Sequence, residues 1–220
     1  MEKSRDVWTI SSLLNWTINY FKSKGIESAR LDAEVLLSHV LGQKRIYLYV
    51  HFDEPMEAKE LAKFREYVAK RARHIPVAYI LGQREFMGFD FKVTKDTLIP
   101  RPDTEILVEN TIAKVNENFG DKQSYDIVDI GTGSGAIILS LLKNLPRAKG
   151  FTVDISANAV AVAKENAQNL QVDDRCEFFV GDLFEPVKDK VFDVIVSNPP
   201  YIPQKDIATL EIDVKDYEPL

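Results

Sequence analysis

The sequence predicts an α/β protein, a Rossmann-like parallel sheet preceded by a small helical bundle. Three observations carry that expectation. Apolar residues recur at spacings of three and four between Ile10 and Val68; a short period-two stretch follows around Phe89; and from Ile127 to Val196 apolar runs alternate with helical segments. Strands that alternate with helices form parallel sheets with right-handed crossovers. The expected division is a helical part over residues 1–75, a β connector over 76–100 and the Rossmann-like part over 101–220.

In the helical part, Ile10, Leu13, Leu14, Thr17, Ile18 and Phe21 form one stripe, and Gly25 stands where that helix can end. Ser28 has the hydroxyl of an N-cap for a second helix that carries Val35, Leu36, Val40 and Leu41 to Gly42. A third helix carries Leu61, Phe64 and Val68 after Pro55. The helices are expected to stop near His74-Ile75-Pro76, because proline lacks the donor a helix needs and disfavours helix in the residue before it. Phe89, Phe91 and Val93 then alternate with Asp90 and Lys92, as in a half-exposed strand. After Pro100-Arg101-Pro102-Asp103 a helix runs from Thr104 to Val115, with Ile106, Leu107, Thr111 and Ile112 on one side. The alternation then gives strands over 127–130, 150–154, 176–180 and 191–196, with helices over 135–145 and, after Ser156, over 158–170.

Composition narrows the functions. The chain is 45% hydrophobic and 28% charged, an ordinary globular balance. It holds no run of about 18 apolar residues, and Met1-Glu2-Lys3-Ser4-Arg5-Asp6 lacks the apolar core of a signal peptide, so a cytoplasmic protein without membrane contact is expected. Cys176, the single cysteine, reads as a buried thiol, and His39, His51 and His74 lack ligand spacing, so no metal is expected. Residues 1–100 carry 16 Lys+Arg against 13 Asp+Glu, whereas residues 101–220 carry 12 against 21, net +3 and −9. An acidic second half argues against direct nucleic-acid binding.

The chemistry sits at strand ends. Gly131-Thr132-Gly133-Ser134-Gly135 follows the first parallel strand and opens a helix, where glycines allow a sharp turn and close approach to a nucleotide-like cofactor. A dinucleotide fits this loop as well as S-adenosylmethionine does. Asp154 ends the next strand, where a carboxylate can accept from both ribose hydroxyls of an adenosine, and this too suits either cofactor. Asp182 closes the third strand, placed to accept from an adenine amino group while Leu183 packs on the ring.

Asn198-Pro199-Pro200-Tyr201 after the fourth strand separates the two cofactors, because a dinucleotide enzyme has no use for it. An amide nitrogen is a poor nucleophile until its lone pair is freed from the carbonyl. The Asn198 side-chain oxygen and the Pro199 carbonyl can accept its two N–H bonds and aim the lone pair at a sulfonium methyl, two prolines stiffen that pair of acceptors, and Tyr201 can stack on the planar group. The reading is a class I S-adenosylmethionine-dependent methyltransferase acting on a planar amide or amine nitrogen. Asn198 and Pro199 are catalytic, Asn198, Pro199, Pro200 and Tyr201 bind the substrate, and Gly131, Thr132, Gly133, Ser134, Gly135, Asp154, Asp182, Leu183 and Asn198 meet the cofactor.

These residues resemble the HemK/PrmC family, the protein-glutamine N5-methyltransferases that modify the Gly-Gly-Gln loop of peptide-chain release factors. Asn198-Pro199-Pro200-Tyr201 alone is shared with adenine-N6 DNA and guanine-N2 RNA methyltransferases. More specific are Leu98-Ile99-Pro100-Arg101-Pro102-Asp103-Thr104-Glu105, Arg30-Leu31-Asp32-Ala33-Glu34, Pro76-Val77-Ala78-Tyr79-Ile80-Leu81-Gly82 and Tyr217-Glu218-Pro219. The resemblance implies that the glycine loop holds the methionine part of the cofactor, Asp154 its ribose, and Asp182 with Leu183 its adenine. It also implies that Asn198 to Tyr201 bind the substrate glutamine, that residues 98–101 close over the site, and that the helical part docks the release factor. Family members continue past the Glu-Pro pair with further strands and act as monomers. The expectation is therefore an unpaired edge on the fourth strand, lower stability than a full-length relative, a tendency of this chain to self-associate, and little or no methyltransferase activity even where cofactor binding survives. Two readings stay open beside it: a nucleic-acid amino-methyltransferase, which needs a basic groove and a base pocket, and a catalytically silent binding module, which need not bind S-adenosylmethionine.

Overall fold

Two packing problems, one for helices and one for a sheet, are solved separately. The computed structural model describes residues 7–119 and 122–219, so the N-terminal hexapeptide weighed as a signal peptide and Leu220 lie outside the described residues. The chain divides between Leu81 and Gly82.

The first unit contains α1 (Ile10–Ser23), α2 (Ala29–Leu41), α3 (Arg45–Val50), α4 (Ala58–Arg71) and α5 (Val77–Leu81). Thr9 caps α1 reciprocally: its Oγ1 accepts from Ser12 N at 3.3 Å and its N–H donates to Ser12 Oγ at 2.9 Å. That cap leaves the stripe Ile10, Leu13, Ile18 and Phe21 facing Ala33, Leu36, Leu37, Phe64 and Val68 in one core. Ser28 precedes α2 as expected, but its hydroxyl donates to Asp32 Oδ2 at 2.8 Å instead of accepting from the backbone. α3 and α5 were not foreseen, being six and five residues long, too short for a helical period to register. Val77–Leu81, expected in the β connector, is helical, because Pro76 opens this helix: Ile80 N donates to Pro76 O at 3.0 Å, and the fixed φ of proline suits a first turn.

The Arg30-Leu31-Asp32-Ala33-Glu34 segment is a tie between helices. Asp32 Oδ2 meets Arg71 Nε at 2.7 Å, with side chains 9% and 6% exposed. Glu34 accepts from Arg45 Nη2 and Tyr49 OH. Burial pushes the Glu34 carboxyl up, but the Tyr49 and Arg45 bonds outweigh it and hold it below its usual value.

In the second unit, β1 (Gln83–Phe86) and β2 (Phe89–Lys92) form a hairpin, followed by α6 (Pro102–Phe119). Met87 and Gly88 both have positive φ, the requirement of a two-residue type I′ turn. Then come β3 (Tyr125–Ile130), α7 (Ala136–Asn144), β4 (Ala148–Asp154), α8 (Ala157–Asn169), β5 (Cys176–Val180), β6 (Val194–Ser197) and α9 (Ile212–Lys215). The four later strands are parallel in the order β5-β4-β3-β6. β3 is buried on both faces: Tyr125 and Ile127 share a core with Leu139, Leu141 and Leu142 of α7, and Val128 and Ile130 share one with Phe151, Val153 and Val187. Strands step outward from β3 to β5, and the chain then returns to place β6 on the other flank of β3. That reversal is a topological switch point, where open α/β sheets bind ligands beyond the carboxyl ends of their strands. Among the described residues β6 pairs with β3 alone, and Ile195 on it is 58% exposed.

Because removing one partner of a buried ion pair strands the other charge, Asp32→Ala should lower stability by about 3 to 5 kcal/mol. Urea unfolding measures this, and a loss below about 1 kcal/mol, as for a surface pair, would show that Arg71 is not held by Asp32.

Candidate active site

Strand register assembles the site. Ile130 pairs with Val153 on one side and Ser197 on the other, and Asp154 pairs with Val180. The residues that follow these pairs are therefore neighbours: Gly131 lies between Asp154 and Asn198, and Gly181-Asp182 leave β5 beside Asp154. Hydrogen bonds continue the ladder past the strands, from Gly131 N to Val153 O at 2.9 Å, Gly181 N to Asp154 O at 3.0 Å, and Ser197 Oγ to Ile130 O at 2.7 Å.

Gly131 and Gly133 have φ of +79° and +56°, and a Cβ built on either would meet nothing within 4 Å. Glycine is demanded there by the backbone angle, and the space beside it is open to a ligand. Thr132 and Ser134 are buried, so this loop presents mainly its backbone. Asp154 is already oriented, since Oδ2 accepts from Gly133 N at 2.8 Å and Oδ1 from Ser156 N at 2.9 Å. Each oxygen keeps a lone pair for a hydroxyl. Behind the loop, Asn166 on α8 donates Nδ2 to Ser134 O at 2.8 Å and to Lys92 O at 3.0 Å, and accepts from Lys92 N at 2.8 Å. This fully satisfied amide ties the glycine loop to β2, and nothing in the local sequence announced it.

Asp182 is exposed at the end of β5, and Leu183 beside it holds a left-handed φ of 46° while 61% exposed. An apolar side chain held in a strained backbone and presented to solvent is a feature of ligand clamps. Register thus gathers Gly131, Asp154, Asp182 and Asn198 on one edge. Tyr201 stands 80% exposed, with no ring stacked on it among the described residues.

Asp129 is a residue that sequence reasoning left unassigned. It shares the face of Ile127, beneath the glycine loop, and is fully buried. Thr132 Oγ1 donates to its Oδ2 at 2.9 Å, while among the described residues Oδ1 has no hydrogen-bond partner. Burial, opposed by the Thr132 bond and reinforced by the charge of Asp154, raises its pKa from 3.8 to about 7. A buried acceptor with a vacant lone pair under a ligand loop fits a cationic group such as the ammonium of an amino-acid moiety. Glycine backbone, the Asp154 acceptors and this orphan oxygen together fit S-adenosylmethionine.

On the other flank, Asn198 Nδ2 donates to Thr104 Oγ1 at 3.3 Å. Nearby, Arg101 pairs with Glu218 at 2.6 Å, and the Glu218 side chain is 2% exposed. The loop expected to close over the site is thereby anchored to Tyr217-Glu218-Pro219.

Asp129 also makes stability depend on pH. Its folded pKa lies above its unfolded one, so the folded state binds the extra proton, and the stability this confers is present below about pH 4 and lost as pH rises to about 7. Asp129→Asn removes that loss. Its stability relative to the parent, from urea midpoints between about pH 5 and pH 8, should become more favourable as pH rises to about 7 and level off above that. A difference constant across that range contradicts the raised pKa.

Comparison with known proteins agrees with this geometry. Residues 12–82 match the family model of the PrmC N-terminal domain, and residues 104–212 match that of the methyltransferase small domain. A release factor glutamine methyltransferase of Geobacter sulfurreducens is 46% identical over 219 residues, covering 100% of this chain and 74% of the relative. Relatives of the same name are 44% identical in Rhodopirellula baltica (99% of this chain, 74% of the relative) and 42% identical in Chlorobaculum tepidum (97% and 74%). With this similarity running through both units, the chain belongs to the release factor glutamine methyltransferase family.

Proposed function

We propose that this chain transfers a methyl group from S-adenosylmethionine to the side-chain amide nitrogen, N5, of the glutamine in the Gly-Gly-Gln loop of peptide-chain release factors. The observation that carries the reading is the pairing of Ile130 with Ser197, which sets a glycine loop suited to the cofactor beside the acceptors of Asn198-Pro199. When bound, S-adenosylmethionine supplies a methyl group on a sulfonium that leaves as a neutral thioether. Asn198 Oδ1 and the Pro199 carbonyl accept the two N–H bonds of the glutamine amide and favour a pyramidal nitrogen whose lone pair points at the glycine loop. Once the new N–C bond forms, the nitrogen is acidic and gives its extra proton to water or to an accepting carbonyl. Asp154 holds the ribose, Asp182 and Leu183 the adenine, and Tyr201 covers the amide plane. The helical unit docks the release factor. A protein loop, and not nucleic acid, suits the net −9 of residues 101–220. No described helix is long and apolar enough to cross a membrane, and we place the activity in the cytoplasm with translation.

Mass spectrometry of a release factor incubated with this chain and S-adenosylmethionine should find one methyl on the Gly-Gly-Gln glutamine. An unmodified glutamine, with the methyl elsewhere or absent, overturns the proposal. Two variants separate the roles. Asp154→Ala should weaken binding of S-adenosylhomocysteine by about 1 to 3 kcal/mol in calorimetry, the cost of unpaired polar groups. Asn198→Ala should instead lower kcat while leaving that affinity nearly unchanged, because its acceptor acts mainly in the transition state. Near-normal turnover in Asn198→Ala removes it from the mechanism.

A further inference from the structure

We infer that Thr104 is a positioning residue for this reaction, its hydroxyl holding the Asn198 carboxamide so that Oδ1 faces the substrate nitrogen. The inference rests on the function proposed above and adds a residue to it.

A carboxamide has two ends of equal size and opposite character, since the nitrogen only donates and the oxygen only accepts. A primary amide substrate offers only donors at its reacting nitrogen, so the end of Asn198 that faces it decides between attraction and repulsion. The backbone does not make that choice. Pro199 biases Asn198 toward extended φ and ψ, but the terminal torsion of asparagine is broad and roughly two-fold. In the structure Nδ2 is the end that meets Thr104, donating to Oγ1 at 3.3 Å, and among the described residues no protein group bonds Oδ1, which stays available to a donor.

Thr104 is itself rigidly placed. It is the third residue of α6, two after Pro102, and its N–H donates to Arg101 O at 3.0 Å. Arg101 is fixed in turn by Glu218 at 2.6 Å. A β-branched side chain in the first turn of a helix has few χ1 choices, and among the described residues the Thr104 hydroxyl bonds no backbone group. Among the described residues its hydrogen bond is to Asn198.

The test measures kcat, KM and Asn198 side-chain amide resonances in the parent, Thr104→Val and Thr104→Ser, with a release factor as substrate and the Asn198 signals identified by their loss in Asn198→Ala. Facing an amide N–H with a methyl group, Thr104→Val should lower kcat roughly 5- to 100-fold, with KM for S-adenosylmethionine and calorimetric affinity for S-adenosylhomocysteine within about 2-fold of the parent. Thr104→Ser, which keeps the hydroxyl, should recover kcat to within about 3-fold of the parent. The Asn198 amide protons should shift in Thr104→Val and hold in Thr104→Ser. Thr104→Ala replaces Thr104→Val if valine disturbs the start of α6. Parent-like kcat without the hydroxyl, an equal fall in the valine and serine variants, or Asn198 resonances alike in all of them overturns the inference. If the parent chain methylates no release factor, the proposed function falls, and the resonances still decide whether Thr104 holds Asn198.

Discussion

The parallel pairing of β3 on both flanks is the constraint from which the site follows. Gly131, Asp154 and Asn198 come from three separate strands, and they meet because Ile130 lies opposite Val153 and Ser197 at once. The register is well determined, since both faces of β3 are buried in different apolar clusters. A slip of one residue would exchange those faces, carry Asp129 into the cluster of Val128 and Ile130, and move the glycine loop out of line with Asp154. Core packing and site geometry are thus one requirement stated twice.

That packing also supports features that are unfavourable alone. Asp129 keeps a buried oxygen without a partner among the described residues, and Leu183 holds a left-handed backbone with its side chain in solvent. Each costs about 1 to 3 kcal/mol. They survive because α7 is apolar nearly all round, with Ile137, Ile138, Leu139, Leu141 and Leu142 buried, and α8 locks the glycine loop through Asn166. The unfavourable groups lie at the carboxyl edge of the sheet and the apolar ones beneath it, as expected when local strain is retained for binding.

Much of this was legible in the sequence where a feature is local. The α1 stripe, the βα alternation and the order of glycine loop, acids and Asn198 each lie within one short segment, and turn chemistry or periodicity reveals them. What was missed depends on distance or depth. Asp129 looked like one more strand residue, because its raised pKa needs burial that no short window displays. Thr104 meets Asn198 across 94 positions, and Arg101 meets Glu218 across 117. Pro76 was read only as a stop; α4 does end before it, at Arg71, but the fixed φ of proline also opens α5 after it.

The segment around Pro100 to Glu105 shows what such long-range contacts accomplish. Arg101, Thr104 and Glu105 stand at i, i+3 and i+4, the spacing that puts side chains on one side of a helical start. Each reaches a different piece of chain: Arg101 to Glu218, Thr104 to Asn198, and Glu105 to the N–H of Met87 in the β1–β2 turn at 2.7 Å. One helix end therefore holds the segment that follows the sheet, the acceptor after β6 and the hairpin before α6. None of these three points lies within a helix or strand, and α6 gives each a further attachment. The motif that resembled a family signature at Leu98 to Glu105 is, physically, a clamp on the parts of the site that the parallel sheet leaves unfixed.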